Sequence, residues 1–555
     1  MVFNASMIKD QDFAETIKNA PHLLDYITRL TERGFPLPTF VKKLERDHAN
    51  LKEPNLLYPV SDNIFIHINP YSHEQDGYKE YAIIEPSEPD RSLIDVADRL
   101  FAIHAGGVIP PLELTERFNV MEQYLDRTIK ISKKPIEYER LDVAKIKRIP
   151  VYEKDLPGLK YHFLRKRAGL DLLDPFLMDS QLEDVSIIGA GNMYVVHKLF
   201  GSLKSSIYLG NEQIDDLIIG MSEQFGKTIS HAKPVVDAQL PEGSRINIVY
   251  GKDVSRRGTN ATIRRFANIP LAITQIIQSK TMSSLQAAYL WMMLSEGMSM
   301  FINGETASGK TTTLMGITAF IPPNLKIVSI EDTAEITLPH PNWISEVTRD
   351  AVNVNTSVTM FDLLKAALRQ RPNYIMIGEI RGAEGNTAFQ AMQTGHPVIS
   401  TFHAATMGSF LQRLTNPPIG VPKTHVDNLN LALFQAAVHG PDGKRIRRVL
   451  TINEILGYNS KEDKVMFIPV FNWDSTTDTV KFRGKGSSAL FQKILGLRGL
   501  GRKDEALLYD ELAFRAKILD KMVEKKIFNF YDVFNALVRC REIGLEEFMK
   551  ELEKL

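Results

Sequence analysis

"GETASGKTTT" occupies residues 304–313 of a 555-residue chain. Two glycines five positions apart, followed by a lysine and hydroxyl residues, form a pattern in which consecutive backbone N–H groups curl round a phosphate. The residues so marked are Gly304, Glu305, Thr306, Ala307, Ser308, Gly309, Lys310, Thr311 and Thr312. An apolar stretch, "MSMFIN" (298–303), enters the motif as a strand, and "TTTLMGITAF" (311–320) leaves it as a helix whose N-terminus adds positive dipole character at an anion. In that setting the motif predicts a nucleotide site in which Lys310 reaches the β- and γ-phosphates and the Thr311 hydroxyl holds Mg²⁺.

Around the loop, apolar strands alternate with helical stretches, which predicts a parallel sheet wrapped by helices, an α/β fold. Ligands of such sheets sit beyond the carboxyl ends of the strands. Three more strands end there in polar residues: "KIVSIED" at Glu331 and Asp332, "NYIMIGEIR" at Glu379 and Arg381, and "PVISTFHA" at Thr401 and His403. Hydrolysis of a γ-phosphate needs one group to orient water and others to neutralise charge. His403 stands where a γ-phosphate sensor belongs, whereas His396 is equally well read as a packing residue. Glu331 and Glu335, the latter one helical turn on if that stretch is helical, are competing candidates for the base that orients the water. Upstream, "EGSRINIVYGKDVSRRGTNATIRRF" supplies arginines. In a ring, Arg245 and Arg264 are the better candidates for arginine fingers reaching a neighbour; the alternative for each is an ordinary solvated charge.

Composition narrows the classes. Lysine plus arginine equals aspartate plus glutamate, 67 each, so no global field favours nucleic acid or anionic lipid. The single cysteine, Cys540, excludes an internal disulfide and a cysteine-based zinc site, and fits a reducing, cytoplasmic compartment. The longest apolar run, near "AAYLWMML" (287–294), falls far short of the ~20 residues that span a bilayer. The N-terminal "MVFNASMIKDQDFAETIKN" lacks the basic start and apolar core of a secretory signal.

The length predicts several domains. Residues 9–48 read as amphipathic helices, and 55–165 as mixed strands with one helix closed by "GGVIPP". A small α/β block follows from about 168, then the block carrying the loop, and after about 505 apolar positions such as Leu512, Leu519 and Phe534 recur at helical intervals.

In this order, the phosphate loop, an acidic box ("SIEDTAEI"), a second acidic strand with Gly378-Glu379 ("IMIGEIRGAE") and a histidine box ("TGHPVISTFHA") resemble the ATPase superfamily of type II and type IV secretion systems. "DAQLPEGSRINI" and "ALRQRPNYIMIGEIRG" make the resemblance specific, and it covers about residues 170–540. "LLDPFLMDSQLEDVSI", "FNWDSTTDTV" and the tail "ELAFRAKILDKMVEKKIFNFYDVFNALVR" are similar to the archaeal branch, the archaellum motor ATPase and archaeal pilus-assembly ATPases. Bacterial pilus-assembly relatives carry a four-cysteine zinc motif that this chain cannot have.

The resemblance implies a RecA-like parallel-sheet ATPase core (281–505). A smaller α/β, PAS-like domain (166–280) and an N-terminal α+β region (1–165) precede it, and C-terminal helices (506–555) follow. It implies ATP and Mg²⁺ as ligands, with Glu331 orienting water, Glu379 ordering Mg²⁺ through its water shell, and His403 and Arg381 completing the catalytic set. It further implies a homohexamer at the inner face of the cell membrane, working on a polytopic platform protein for a pilin-like or archaellin filament or for secretion. Peripheral membrane contact through the N-terminal helices is the matching expectation. Two other readings compete. A RecA-like nucleic-acid translocase is disfavoured by the neutral charge and by "GKRIRRVL" (443–450), which alternates its cations across a predicted strand and reads as a solvated edge. A nucleotide-gated assembly scaffold is disfavoured by intact Lys310, Thr311, Glu331 and Glu379.

Overall fold

The computed structural model describes residues 10–71, 77–104, 114–224, 227–265, 269–349, 357–440 and 445–554. The readings placed on residues 1–9, on "GGVIPP" and on Lys444 lie outside the described residues. The chain forms two compact units, 1–267 and 268–555.

The first unit carries a ten-stranded sheet to which both halves of the unit contribute. Strands between Thr39 and Ile84 join strands between Leu182 and Arg264 where Glu80 and Tyr81 pair in parallel with Lys204 and Ser205. Buried Asp179 fastens this joint, because the hydroxyls of Tyr58 and Tyr81 both donate to its Oδ2 at 2.7 and 2.8 Å. Helices Gln11–Asn19 and Pro21–Glu32 are amphipathic and bury Phe13, Ile17, Leu23 and Ile27 against Phe40, Leu57 and Phe65 of the strands.

In the second unit we number the strands in chain order: β1 (Met300–Asn303), β2 (Ile327–Glu331), β3 (Trp343–Val347), β4 (Tyr374–Glu379), β5 (Val398–Phe402), β6 (Leu431–His439), β7 (Arg445–Asn459), β8 (Lys464–Asp474) and β9 (Thr479–Phe482). Their order across the sheet is β3-β2-β4-β5-β1-β6-β7-β8-β9. Strands β1 to β6 run parallel and β7 to β9 return antiparallel. Alternate residues serve opposite faces. Met300 and Ile302 of β1, Tyr374 and Met376 of β4 and Ile399 of β5 enter one core; Phe301, Ile375, Ile377, Val398 and Phe402 enter the other. Burial on both sides is why these strands are uninterrupted apolar runs.

The run "AAYLWMML" belongs to helix Ser284–Ser295, which is buried on every side from Gln286 to Leu294 and therefore has no polar stripe. Helix Glu505–Glu524 covers it: Leu508, Leu512, Ile518, Leu519 and Met522 lie in the same core as Tyr289 and Trp291, and the Arg515 guanidinium sits 4.5 Å from the Trp291 ring. Among the described residues no helix is long and apolar enough to cross a membrane.

One buried carboxylate ties several elements together. Glu454 of β7, fully buried, accepts from the Tyr289 hydroxyl (2.6 Å), the Ser488 hydroxyl (2.5 Å) and the N–H groups of Ala489 (2.7 Å) and Leu490 (3.2 Å). Glu454→Ala strands these four donors, three of them buried, so it is expected to destabilise this unit by about 3–5 kcal/mol, seen as an earlier denaturant midpoint; Glu454→Gln, which keeps one acceptor, loses less.

The solvated-edge reading of "GKRIRRVL" needs correction at Arg448. This residue is 6% exposed and its guanidinium forms two bonds to Asp478, at 2.7 and 2.8 Å, because β7 continues inward and the β8–β9 turn folds over it.

Candidate functional site

Strand β1 delivers the chain to the carboxyl edge of the sheet, and Gly304–Gly309 turn there into helix Lys310–Thr318. The turn needs left-handed backbone at Ala307 (φ +61°) and Gly309 (φ +92°), and only glycine adopts that region freely. Glu305, Thr306 and Ala307 are exposed, Ser308 is buried, and Thr311 and Thr312 are half-buried on the first helical turn. The Lys310 ammonium turns back over the loop, donating to the Glu305 carbonyl at 3.0 Å and to His403 Nδ1 at 3.4 Å.

From Lys310 a chain of polar contacts runs across the strand ends. His403 Nε2 lies 3.1 Å from Glu379 Oε1, and Arg381 Nη2 donates to Glu379 Oε2 at 2.6 Å. With Nδ1 accepting from lysine and Nε2–H facing a carboxylate, His403 is the neutral imidazole. Burial lowers its basicity, and the charges of Lys310, Arg381 and Arg413 add to that against the pull of Glu379. Burial by itself pushes the Glu379 carboxyl up, but the Arg381 hydrogen bond and charge, with the Lys310 charge, hold it below the usual range, so it is ionised at neutral pH. A one-residue slip in the β4–β5 ladder sets this geometry: Ile377 faces Ser400 and Glu379 faces Thr401, leaving Gly378 as the extra residue with its carbonyl bonded by the Thr401 hydroxyl at 2.6 Å. Such a bulge re-aims the side chain beside it.

Glu331 ends β2 at 2% exposure. Its Oε1 accepts the N–H groups of Glu335 (3.0 Å) and Ile336 (2.9 Å), while Oε2 is buried without a protein partner. Burial drives this carboxyl up to about 7 against the pull of those two donors. A Cβ on Gly378 would come within 3.1 Å of Glu331 Cγ, so the glycine clears room for the acid. The stretch after Glu331 is not helical; it bends back as a loop and uses the N–H groups of 335 and 336 to hold the carboxylate. Glu335 is therefore not one helical turn beyond Glu331.

Lys310, His403, Glu379 and Arg381 are thus joined, with Glu331 at the end of the adjacent β2. Arg245 and Arg264 belong to the first unit, where they face each other across neighbouring antiparallel strands. His396 precedes β5 at the opposite end of that strand and contacts the Thr394 hydroxyl. Three residues were missed by sequence reading. Gln435 of β6 donates from Nε2 to the Ser308 carbonyl (2.7 Å) and accepts from the Thr313 hydroxyl (2.7 Å); Arg447 of β7 donates to the Ala307 carbonyl (3.3 Å); Arg413 donates to the His403 carbonyl. The trace of Gln435 in the sequence is a lone amide inside the apolar "LALFQAAV", and Arg447 lies in the "GKRIRRVL" that reads as a solvated edge.

The loop, Glu331, Glu379, His403 and Gln435 all fall within the match to the family described as "Type II/IV secretion system protein", which covers residues 225–438. An uncharacterized protein of Methanocaldococcus jannaschii is 41% identical over 552 residues, covering 97% of this chain and 98% of that one. The conjugal transfer protein TrbB of Rhizobium radiobacter is 36% identical over 187 residues, 33% of this chain and 55% of that protein. Among solved structures, the VirB11 ATPase of the Brucella suis type IV secretion system is 23% identical, with a TM-score of 0.26 over 50% of this chain and 91% of that chain. By its near full-length relative and its family match, the chain belongs to the type II/IV secretion system protein family.

Proposed function

We propose that this protein is an ATPase motor, a homohexamer peripheral to the inner face of the cell membrane, which drives archaellum or type IV pilus assembly, or protein secretion, through a polytopic platform protein. The observation that carries the reading is the continuous contact from the phosphate loop through Lys310 and His403 to Glu379 and Arg381 at one sheet edge. The loop's N–H groups and Lys310 hold the ATP phosphates. Thr311 and ionised Glu379 suit Mg²⁺, a cation that keeps several waters and takes one or two carboxylates plus substrate phosphates. When bound, the ion neutralises charge on the β- and γ-phosphate oxygens.

Glu331 orients the attacking water through Oε2, its unpartnered oxygen. The water oxygen bonds to the γ-phosphorus as the bond to the bridging oxygen breaks, its proton passing to the Glu331 carboxylate, and ADP and phosphate are released. His403 and Arg381 adjust Glu379 to the phosphate state. Arg245 and Arg264 act as fingers on the site of the neighbouring subunit, a contribution of about 10³–10⁵ in rate where such fingers operate.

Subunit mixing tests this arrangement. Arg245→Ala and Lys310→Ala proteins are each expected to be inactive alone. Mixed, they are expected to regain phosphate release, because some boundaries pair an intact loop with an intact arginine. No recovery in mixtures that sedimentation shows to be co-assembled removes the trans role of Arg245.

A further inference from the structure

We infer that Gln435 is a positioning residue that shapes the phosphate loop from outside, through Ser308 and Thr313, and thereby sets the affinity for nucleotide phosphates; this rests on the ATP-site reading above. Strands β1 and β6 pair in parallel up to Asn303 and Phe434, so Gln435 is the residue that meets the chain as it leaves the sheet for the loop. The β6–β7 ladder slips by one residue there, with Phe434 facing Thr451 and Gln435 facing Val449, and a bulge of this kind turns neighbouring side chains.

Both glycines of the motif close on this one residue. A Cβ at Gly304 would collide with the Gln435 carbonyl, and a Cβ at Gly309 would lie 2.9 Å from its Nε2. The side-chain amide is 2% exposed at residue level and uses both ends, Nε2 on the last carbonyl before Gly309 and Oε1 on the hydroxyl of the first helical turn.

The consequence follows from peptide geometry. In a trans peptide the C=O and the following N–H point in opposite directions. Holding the Ser308 carbonyl outward on Gln435 therefore aims the Gly309 N–H into the loop, and Arg447 on the Ala307 carbonyl does the same for the Ser308 N–H, which points to Glu305 O at 3.3 Å. That oxygen also receives the Lys310 ammonium and the Ser308 hydroxyl, so three donors from Ser308 and Lys310 meet there. Converging backbone N–H groups are what bind a phosphate. Without Gln435 the 308–309 peptide is free to rotate, and the Gly309 N–H is no longer held toward the place where those donors meet.

The test compares binding of ATP and ADP to the full-length wild type, Gln435→Met, Gln435→Glu and Thr313→Val, with thermal melting followed in parallel. Gln435→Met keeps length and loses both bonds; it is expected to weaken both nucleotides about 10- to 100-fold, raising KM more than it lowers kcat. Thr313→Val, which removes one bond, is expected to fall between. Gln435→Glu gives a signature that packing alone would not. Ionised, it repels the Ser308 carbonyl; protonated, it restores one donor and one acceptor, so its affinity relative to wild type is expected to recover as pH is lowered from 8 to 6. Wild-type binding matched within twofold by both Gln435→Met and Thr313→Val overturns the inference and leaves the ATP site standing. Absence of ATP binding by the wild type overturns both. Should Gln435→Met fail to fold, unchanged binding by Thr313→Val together with a pH-independent Gln435→Glu ratio overturns the inference equally.

Discussion

Lys310→Ala is expected to lower ATP hydrolysis by at least about 10³-fold while leaving the melting profile within a few degrees of wild type. The size of the effect comes from the number of things one ammonium does. It lies 8% exposed, its Nζ meets the Glu305 carbonyl and His403 Nδ1, and its charge helps keep both His403 neutral and Glu379 ionised. Alanine removes the cation aimed at the loop's interior and also relaxes the tautomer lock on His403. Lys310→Arg is no rescue, because a planar fork does not replace a compact point charge under the loop. Steady-state phosphate release measured beside circular dichroism checks the result. Activity within tenfold of wild type would mean that the chemistry happens elsewhere.

Glu331→Gln is the second large effect, and it separates two roles. With its carboxyl raised to about 7 by burial, Glu331 carries a proton in the native state over a range where the unfolded chain, near its ordinary value, does not. The native state therefore binds more protons between roughly pH 4.5 and 7, and stability falls as pH rises through that window, by an amount on the order of 3 kcal/mol, then levels off. Activity moves the other way: kcat is expected to climb through about pH 7 as the carboxylate forms. Glutamine keeps an acceptor for the N–H groups of Glu335 and Ile336 but supplies no base. The variant is expected to lose about 10²–10³ in kcat, to lose the acid limb of the rate profile, and to be more stable than wild type at pH 8. If Glu331→Gln hydrolyses ATP normally, Glu331 serves only to hold the loop from 332 to 336, and Glu335→Gln becomes the informative variant.

The parallel strands were legible because burial on both faces leaves apolar runs with polar ends, and "IVSIE" and "VISTF" are buried at every position. Glu379, Arg381 and His403 could be singled out for the same reason, each standing at or just beyond the end of such a run, whereas Lys310 was marked by the glycine–lysine spacing of the loop. What aims them was not legible. The slip at Gly378 shifts one residue against its neighbour, and a single sequence carries no mark of register. Gln435 was hidden for a related reason, since its partners Ser308 and Thr313 lie 127 and 122 residues away and a solitary amide in an apolar strand has many ordinary explanations. Arg448 looked solvated because its partner Asp478 is supplied by a turn thirty residues later.

Packing of helix Glu505–Glu524, and of Phe548 and Leu552 beyond it, into the core that also holds Met300 and Ile302 has a consequence for synthesis. Ribosomes add about 5–20 residues per second, so roughly 13–50 seconds pass between translation of β1 and of the last segment that seals its apolar side. During that interval Tyr289, Trp291 and their neighbours lack this cover. A holdase that occupies this surface is therefore expected to raise the yield of full-length protein, and release factors acting early, at codons near 505, leave a fragment that aggregates.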